Sequence, residues 1–312
     1  MYKTAVTQKR RKKLKLFFSV LILAFLGVYI VDNILPIWNE LGSAMDGGVS
    51  FFLLIILLLI PNLYCEAKKW LLLLNDDSIE FSKTLRGVLI GMAAGFITPN
   101  RIGEFAGRVS AFDRIDHPKV IAMTWVGSTL QGAVTVVFGL ASLLAFPFWS
   151  RIKDFIHIDL SFHLVLLCAV SGALYLLFKE KITPYLRSVL QSAKLLSFRT
   201  VMKAMPWAIL RYITFTTQIA IALYLFGYSG SFGYCLAGIA VMFLVQSYLP
   251  LTAFAELGVR EFLAVLIFGS VMSQPVLAAA ATLVVWLINI GVPVAVGSFL
   301  LRKSNRNPIG IS

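Results

Sequence analysis

The chain has 312 residues, of which 59% are hydrophobic and only 14% are charged. An ordinary soluble domain has roughly 25% charged residues, so this composition excludes a water-soluble enzyme and is typical of a protein that crosses a membrane several times. Lys and Arg number 28 against 15 Asp and Glu, which gives a net charge of +13. The basic residues collect in alternate loops, as the positive-inside rule requires, so the excess indicates topology and not a nucleic-acid partner.

Apolar runs of about 20 residues, the length that crosses a hydrocarbon core, predict the spans in chain order. They lie at 16–31, 47–65, 119–147, 160–178, 206–227, 232–250, 259–274 and 276–301. A ninth run, 85–99, is short and is followed by basic residues, so we predict that it enters the membrane and returns. The sequence therefore predicts an all-α polytopic membrane protein with about eight transmembrane helices plus one re-entrant segment.

Loop charge predicts the orientation of these spans. Residues 3–15 hold seven Lys and Arg, whereas the loop 32–48 is acidic and has none. Lys68 and Lys69 mark the second cytoplasmic face, and basic residues also follow the last run. We expect a single membrane domain, 1–312, in the inner cell membrane with both termini cytoplasmic. It divides into a basic N-terminus (1–15), a transmembrane bundle (16–301) and a tail (302–312), with no soluble catalytic domain.

A charged corner follows the ninth run, from Thr98 to Arg108. Pro99 breaks the helix, and the freed backbone groups must be satisfied by protein or by water in a cavity, so a polar pocket is predicted here. Glu104 and Arg108 can pair on one helix face at i, i+4. The alternative is that this pair only braces the corner at the cytoplasmic interface. Small residues that allow close helix packing recur at Gly91, Gly95, Gly103 and Gly107.

A second stretch, Leu249 to Glu261, repeats the order Pro, Glu, Gly, Arg. Pro250 breaks a span there, Glu256 and Arg260 again stand at i, i+4, and Gln246 adds a hydrogen-bonding group just before it. Paired proline-broken segments in corresponding halves indicate a transporter site near the membrane midplane. We therefore predict two pseudo-repeated halves with broken helices, the alternative being a chance recurrence.

Other polar residues within the runs permit two interpretations each. Arg211 lies five residues after Pro206, so it either snorkels to the cytoplasmic interface or binds an anion. Gln131 and Asn289 either bind substrate or, as we favour, form hydrogen bonds between helices. The three Cys and three His are scattered, so we expect no metal and no cofactor.

The two charged stretches resemble the signatures of the lysylphosphatidylglycerol synthase transmembrane region, also called the flippase-like family. The first signature is matched by Pro99, Arg101, Gly103, Glu104 and Arg108, and the second by Leu249, Pro250, Gly258, Val259, Arg260 and Glu261. Where the family has a Gly-rich stretch, this chain has the bulkier residues 252–257. Larger members of the family carry a cytosolic aminoacyl-transferase domain, so the resemblance implies a stand-alone membrane region that is not an enzyme.

The resemblance and the motifs together predict a lipid translocase that moves an anionic, aminoacylated or polyprenyl-phosphate-linked lipid between leaflets. Pro99, Gly103, Pro250 and Gly258 would shape its site. The predicted substrate-binding residues are Arg101, Glu104, Arg108, Arg211, Gln246, Glu256, Arg260 and Glu261. The alternative function is a non-transporting membrane subunit that anchors or regulates an enzyme of envelope lipid or glycan synthesis. A shared cavity favours the first function, and closed structural ion pairs favour the second.

Overall fold

The computed structural model describes residues 48–96, 98, 101–112, 116–148, 183–184, 186–247 and 253–303, and its regular elements are helical. One antiparallel bridge, between Tyr228 and Met272, is the exception within these ranges. The predicted all-α class is therefore confirmed. The helices are α1 (Val49–Leu57), α2 (Leu59–Leu74), α3 (Phe81–Phe96), α4 (Gly103–Val109), α5 (His117–Ala145), α6 (Phe198–Leu225), α7 (Phe232–Ser247), α8 (Ala253–Phe268), α9 (Val276–Trp286) and α10 (Val292–Lys303).

Four helical stretches of this part of the chain are long and apolar enough to cross a membrane. They are Val49–Leu74, His117–Ala145, Phe198–Leu225 and Val276–Arg302, and α7 is a shorter apolar helix. Each coincides with a predicted run, and α8 covers most of the run predicted at 259–274. The runs predicted at 16–31 and 160–178 lie outside the described residues, so the number of crossings stays a prediction.

The second predicted span is longer than its apolar run. The run ends at residue 65, but α2 continues to Leu74 and is followed by Asn75 in the left-handed conformation, φ 46°. Asn tolerates this conformation better than most residues, so it ends helices readily. Lys69 was predicted to mark the cytoplasmic face; its side chain is only 1% exposed, and its position relative to the membrane surface stays a prediction. Glu66, one helical turn earlier, lies 2.6 Å from its ammonium group and neutralises it.

Helices α3 and α4 form a tight hairpin, as the glycine spacing predicts. A Cβ on Gly103 would collide with the backbone carbonyl of Ala94, and one on Gly107 would lie 2.7 Å from the carbonyl oxygen of Ile90. The Thr98 hydroxyl accepts a hydrogen bond from the Gly103 N–H at 2.8 Å and stabilises the reversal. The hairpin has the shape of a re-entrant segment, whose membrane depth stays a prediction. Pro99 and Pro250 lie outside the described residues.

The helices pack around three apolar clusters of buried side chains, the smallest of which joins α3, α8, α9 and α10. Of the two larger clusters, one comes mainly from α6, α7, α8 and α9, and the other mainly from α2, α3, α5 and α6. Close pairs include α2 with α6, α5 with α7, and α3 with α10. At the α3–α10 contact a Cβ on Gly297 would collide with the backbone carbonyl of Leu89. Apolar burial at roughly close-packed density therefore holds the polar residues of several helices in fixed positions.

Candidate functional site

A polar cavity of about 590 Å³ lies among the helices and is lined by α2 to α8 and by the π-helical turn Leu287–Gly291. Three of its lining residues, Gln131, Arg211 and Asn289, stand at the middle of three of the four candidate spans. The cavity therefore lies near the middle of the helix bundle. Ionisable groups inside a membrane-spanning bundle are costly and usually mark a path or a site.

Glu66 on α2 is the centre of the first group of charges. Its carboxylate oxygens lie 2.7 Å from Arg108 Nη2, 2.8 Å from Arg211 Nη1 and 2.6 Å from Lys69 Nζ. Arg211 Nε also donates to Asn62 Oδ1 at 3.2 Å. Together with Glu104, these charged side chains form what we call the Glu66 cluster: Glu66, Lys69, Glu104, Arg108 and Arg211.

Arg108 is the most enclosed arginine of the Glu66 cluster, with 3% of its side chain exposed. It forms the predicted i, i+4 ion pair with Glu104 as well as the contact with Glu66. Its guanidinium lies over the Trp70 ring, 4.5 Å from the centroid, a favourable cation–π position. Gly91 on α3 makes room for it, because a Cβ there would lie 2.8 Å from Arg108 Cγ.

Glu256 on α8 is the centre of the second group. Its carboxylate lies 3.0 Å from Arg260 Nη2, the predicted i, i+4 pair, and 3.0 Å from Arg101 Nη2. Gln246 on α7 donates to the Glu256 carbonyl at 2.8 Å and accepts from Arg260 Nε at 3.3 Å. We call Arg101, Gln246, Glu256 and Arg260 the Glu256 cluster. Its Arg101–Glu256 contact joins the two sequence motifs directly.

Arg101 has an unusual backbone conformation. Its φ is +55°, in the left-handed region, which a non-glycine residue adopts only at a cost when its surroundings require it. Such conformations concentrate at functional sites. Here the conformation belongs to the residue whose side chain reaches Glu256 on α8.

The cavity carries an excess of positive charge. Five basic side chains and three carboxylates of the described residues line it, so its formal charge is +2. The excess is shared equally, because the Glu66 cluster has three cations and two carboxylates, and the Glu256 cluster has two cations and one. Such an arrangement attracts an anionic ligand by charge-assisted hydrogen bonds.

Seven of the eight predicted binding residues line this one cavity, and Glu261 is not among its lining residues. The described neighbours do not require a glycine at Gly258, because a Cβ there would meet nothing within 4 Å. Arg211 contacts Glu66 and Asn62 and lines the cavity. Its distance from the cytoplasmic interface, and with it the snorkelling interpretation, stays a prediction. Gln131 lines the cavity and also donates to the Ala208 carbonyl at 3.3 Å, which is the favoured interhelical bond.

Sequence reasoning missed the most highly connected residue, Glu66. A usable signal existed, because Asn62, Glu66 and Lys69 stand at i, i+4 and i+7 and therefore share one helix face. A second polar stripe on α5 faces the cavity at Ser128, Gln131, Gly132 and Thr135. Within the described ranges, no three His, Cys, Asp or Glu side chains group as metal ligands do.

Comparison with protein families gives one match that covers most of the chain. The family model described as "Lysylphosphatidylglycerol synthase TM region" matches residues 14–297. Comparison with curated proteins gives no match. The matched residues include all the helices that line the cavity. The family model describes a membrane region that crosses the bilayer several times.

Proposed function

Since the chain belongs to the family of the lysylphosphatidylglycerol synthase TM region, we propose that it is a translocase that moves an anionic lipid between the leaflets of the inner cell membrane. The lipid classes we expect are an anionic phospholipid, an aminoacylated lipid or a polyprenyl-phosphate-linked lipid. The head group enters the cavity while the acyl or prenyl chains stay in the bilayer. Both termini lie on the cytoplasmic side.

One observation carries this proposal: both charged motifs line a single cavity whose lining residues have a formal charge of +2. A purely structural ion pair needs no cavity, and balanced pairs leave no excess charge. Taking charges out of water is costly unless each is paired and hydrogen-bonded. The excess charge is therefore better explained by an anion that enters the cavity than by a bracing role alone.

Differences in exposure indicate which side chains meet the head group. Arg101 and Arg211 have 36% and 25% of their side chains exposed, whereas Arg108 and Arg260 have 3% each. We expect the two exposed arginines to contact the phosphate and the two buried ones to add to the positive potential. The glutamates hold the arginines in place, and this fixed geometry lowers the cost of binding.

Gly132 offers a direct way to test the cavity. It lines the cavity, and a Cβ at this position would meet nothing within 4 Å. Gly132→Leu should therefore fill space without displacing a neighbour. The matched control is Ala141→Leu, which places the same side chain on the same helix at an exposed position that does not line the cavity.

The experiment reconstitutes the purified protein into liposomes with fluorescent phosphatidylglycerol, an aminoacylated lipid or a polyprenyl-phosphate lipid in both leaflets. Dithionite destroys the outer-leaflet fluorescence, and continued loss reports movement from the protected leaflet. We expect the wild type and Ala141→Leu to accelerate that loss and Gly132→Leu to abolish it. No acceleration by wild type with any of the three lipids, with or without a proton gradient, would favour the alternative of a non-transporting subunit.

A further inference from the structure

The excess positive charge of the cavity is divided between the Glu66 cluster and the Glu256 cluster. Counted over the side chains that line the cavity, each cluster is positive by one elementary charge. Each also contributes one partly exposed arginine, Arg211 in the Glu66 cluster and Arg101 in the Glu256 cluster. These arginines bind different carboxylates on different helices, Glu66 on α2 and Glu256 on α8. The cavity therefore has two distinct places for negative charge.

We infer that the head group bound here carries two negative charges, as a phosphomonoester or a diphosphate does, and that it lies between Arg101 and Arg211. This inference rests on the proposed function and narrows its lipid classes. A dianion brings the formal charge of the cavity to zero. A phosphodiester such as phosphatidylglycerol leaves one positive charge uncompensated, and an aminoacylated head group adds further cationic groups.

The size of the cavity fits a head group larger than one phosphate. Its volume of about 590 Å³ falls within the 300–1,000 Å³ that is usual for sites of small organic ligands. A diphosphate, or a phosphomonoester with an attached hydroxylated group, has room here. The same chemistry occurs in free inorganic pyrophosphate, so the lipid and soluble sources must be separated by experiment.

The test compares ligands that differ by a single charge. Short-chain phosphatidic acid and short-chain phosphatidylmethanol differ by one methyl group, and at pH 8 the first is a dianion and the second a monoanion. Binding to the purified full-length protein is measured by intrinsic fluorescence, with lysylphosphatidylglycerol and inorganic pyrophosphate as further probes. We expect phosphatidic acid to bind roughly tenfold more tightly than phosphatidylmethanol, a difference of ~1.4 kcal/mol.

Variants locate the effect in the cavity. Arg101→Gln and Arg211→Gln each remove one excess positive charge and should bring the ratio of the phosphatidic acid and phosphatidylmethanol affinities close to one. Arg101→Lys and Arg211→Lys keep the charge and should keep the tenfold ratio. The control Arg86→Gln removes the same charge from an exposed position outside the cavity and should leave the ratio unchanged. Size-exclusion profiles show whether each variant is folded.

The outcomes separate this inference from the proposed function. Equal binding of the two matched lipids, or tightest binding of lysylphosphatidylglycerol, would overturn the dianionic head group. A tenfold preference for phosphatidic acid over phosphatidylmethanol, in a protein that moves no lipid in liposomes, would support the dianionic head group and contradict the proposed translocase function. Pyrophosphate binding as tightly as phosphatidic acid would overturn a lipid ligand and identify a soluble phosphate compound instead.

Discussion

The Glu66 and Glu256 clusters use the same residue types but differ in enclosure. Glu66 contacts three cations and has 8% of its side chain exposed, whereas Glu256 contacts two and has 20% exposed. The Glu256 cluster also contains Arg101, the more exposed of the two accessible arginines. The first cluster is therefore mainly a brace between α2, α4 and α6, and the second is the side of the cavity where a ligand can replace protein contacts.

The largest effect is expected from Glu66→Gln. This change leaves three cations without their shared carboxylate in a buried position, and breaking a buried pair costs about 3–5 kcal/mol. We expect a large fall in thermal stability in detergent and in the yield of monodisperse protein. A stable Glu66→Gln variant with wild-type melting behaviour would show that the cluster is not a brace.

The glycine contacts of the hairpin should give the next largest effect. Gly103→Ala places a methyl group against the backbone carbonyl of Ala94, and overpacking of this kind costs ~1–3 kcal/mol. Gly132→Ala is the control, because the added methyl group meets no neighbour within 4 Å. Alanine is a better helix former than glycine, so this change should raise the free energy of unfolding by ~0.5–1 kcal/mol. Thermal unfolding of both variants measures the difference. Equal stability would show that the hairpin can open without cost.

Glu256→Gln sharpens the comparison between the clusters. We expect the free energy of unfolding to fall by roughly 1–2 kcal/mol. This lies between the cost of about 3–5 kcal/mol for breaking a buried ion pair and the cost of at most about 1 kcal/mol for an exposed pair. Arg101 can turn toward solvent when its partner is removed, so less charge is left stranded. A loss as large as that of Glu66→Gln would mean that the two clusters brace the fold equally.

The smallest effect on stability is expected from Arg101→Gly. Glycine adopts a positive φ freely, which relieves ~1–2 kcal/mol of backbone strain, and this gain offsets an ion pair worth at most about 1 kcal/mol. Stability should stay near that of the wild type while anion binding is lost. Thermal unfolding and ligand titration on the same sample measure both, and intact binding would remove Arg101 from the site.

Local sequence rules were sufficient for contacts within one helix. The i, i+4 spacing predicted Glu104–Arg108 and Glu256–Arg260, and the glycine spacing predicted that another helix can approach closely, without showing which one. Contacts between particular helices were not predictable in this way. The burial of Lys69 was not predicted, because hydropathy treats every charge as the end of a span, whereas a charge that meets its counter-ion inside the bundle lets the helix continue.

The link between the two motifs was predicted only as a shared pocket. The residue pair that forms it, Arg101 with Glu256, is separated by 155 residues, and no periodicity relates the two. The same holds for Arg211 and Glu66, which are separated by 145 residues. These contacts depend on which helices lie next to one another in the bundle. A polar face such as Asn62, Glu66 and Lys69, once recognised, predicts that α2 needs polar partners but not which helices supply them.

The net charge of the cavity also has an electrical consequence if the middle of the helix bundle lies at the middle of the bilayer, as we propose. Fixed charges near the middle of a bilayer lie within the transmembrane field, where a full crossing is worth about 2.3 kcal/mol per elementary charge per 100 mV. An empty cavity of charge +2 is drawn toward the negative, cytoplasmic side, whereas a cavity neutralised by a dianion responds little. We expect an inside-negative potential, imposed with potassium and valinomycin, to speed the return of the empty protein and so to favour outward movement of lipid.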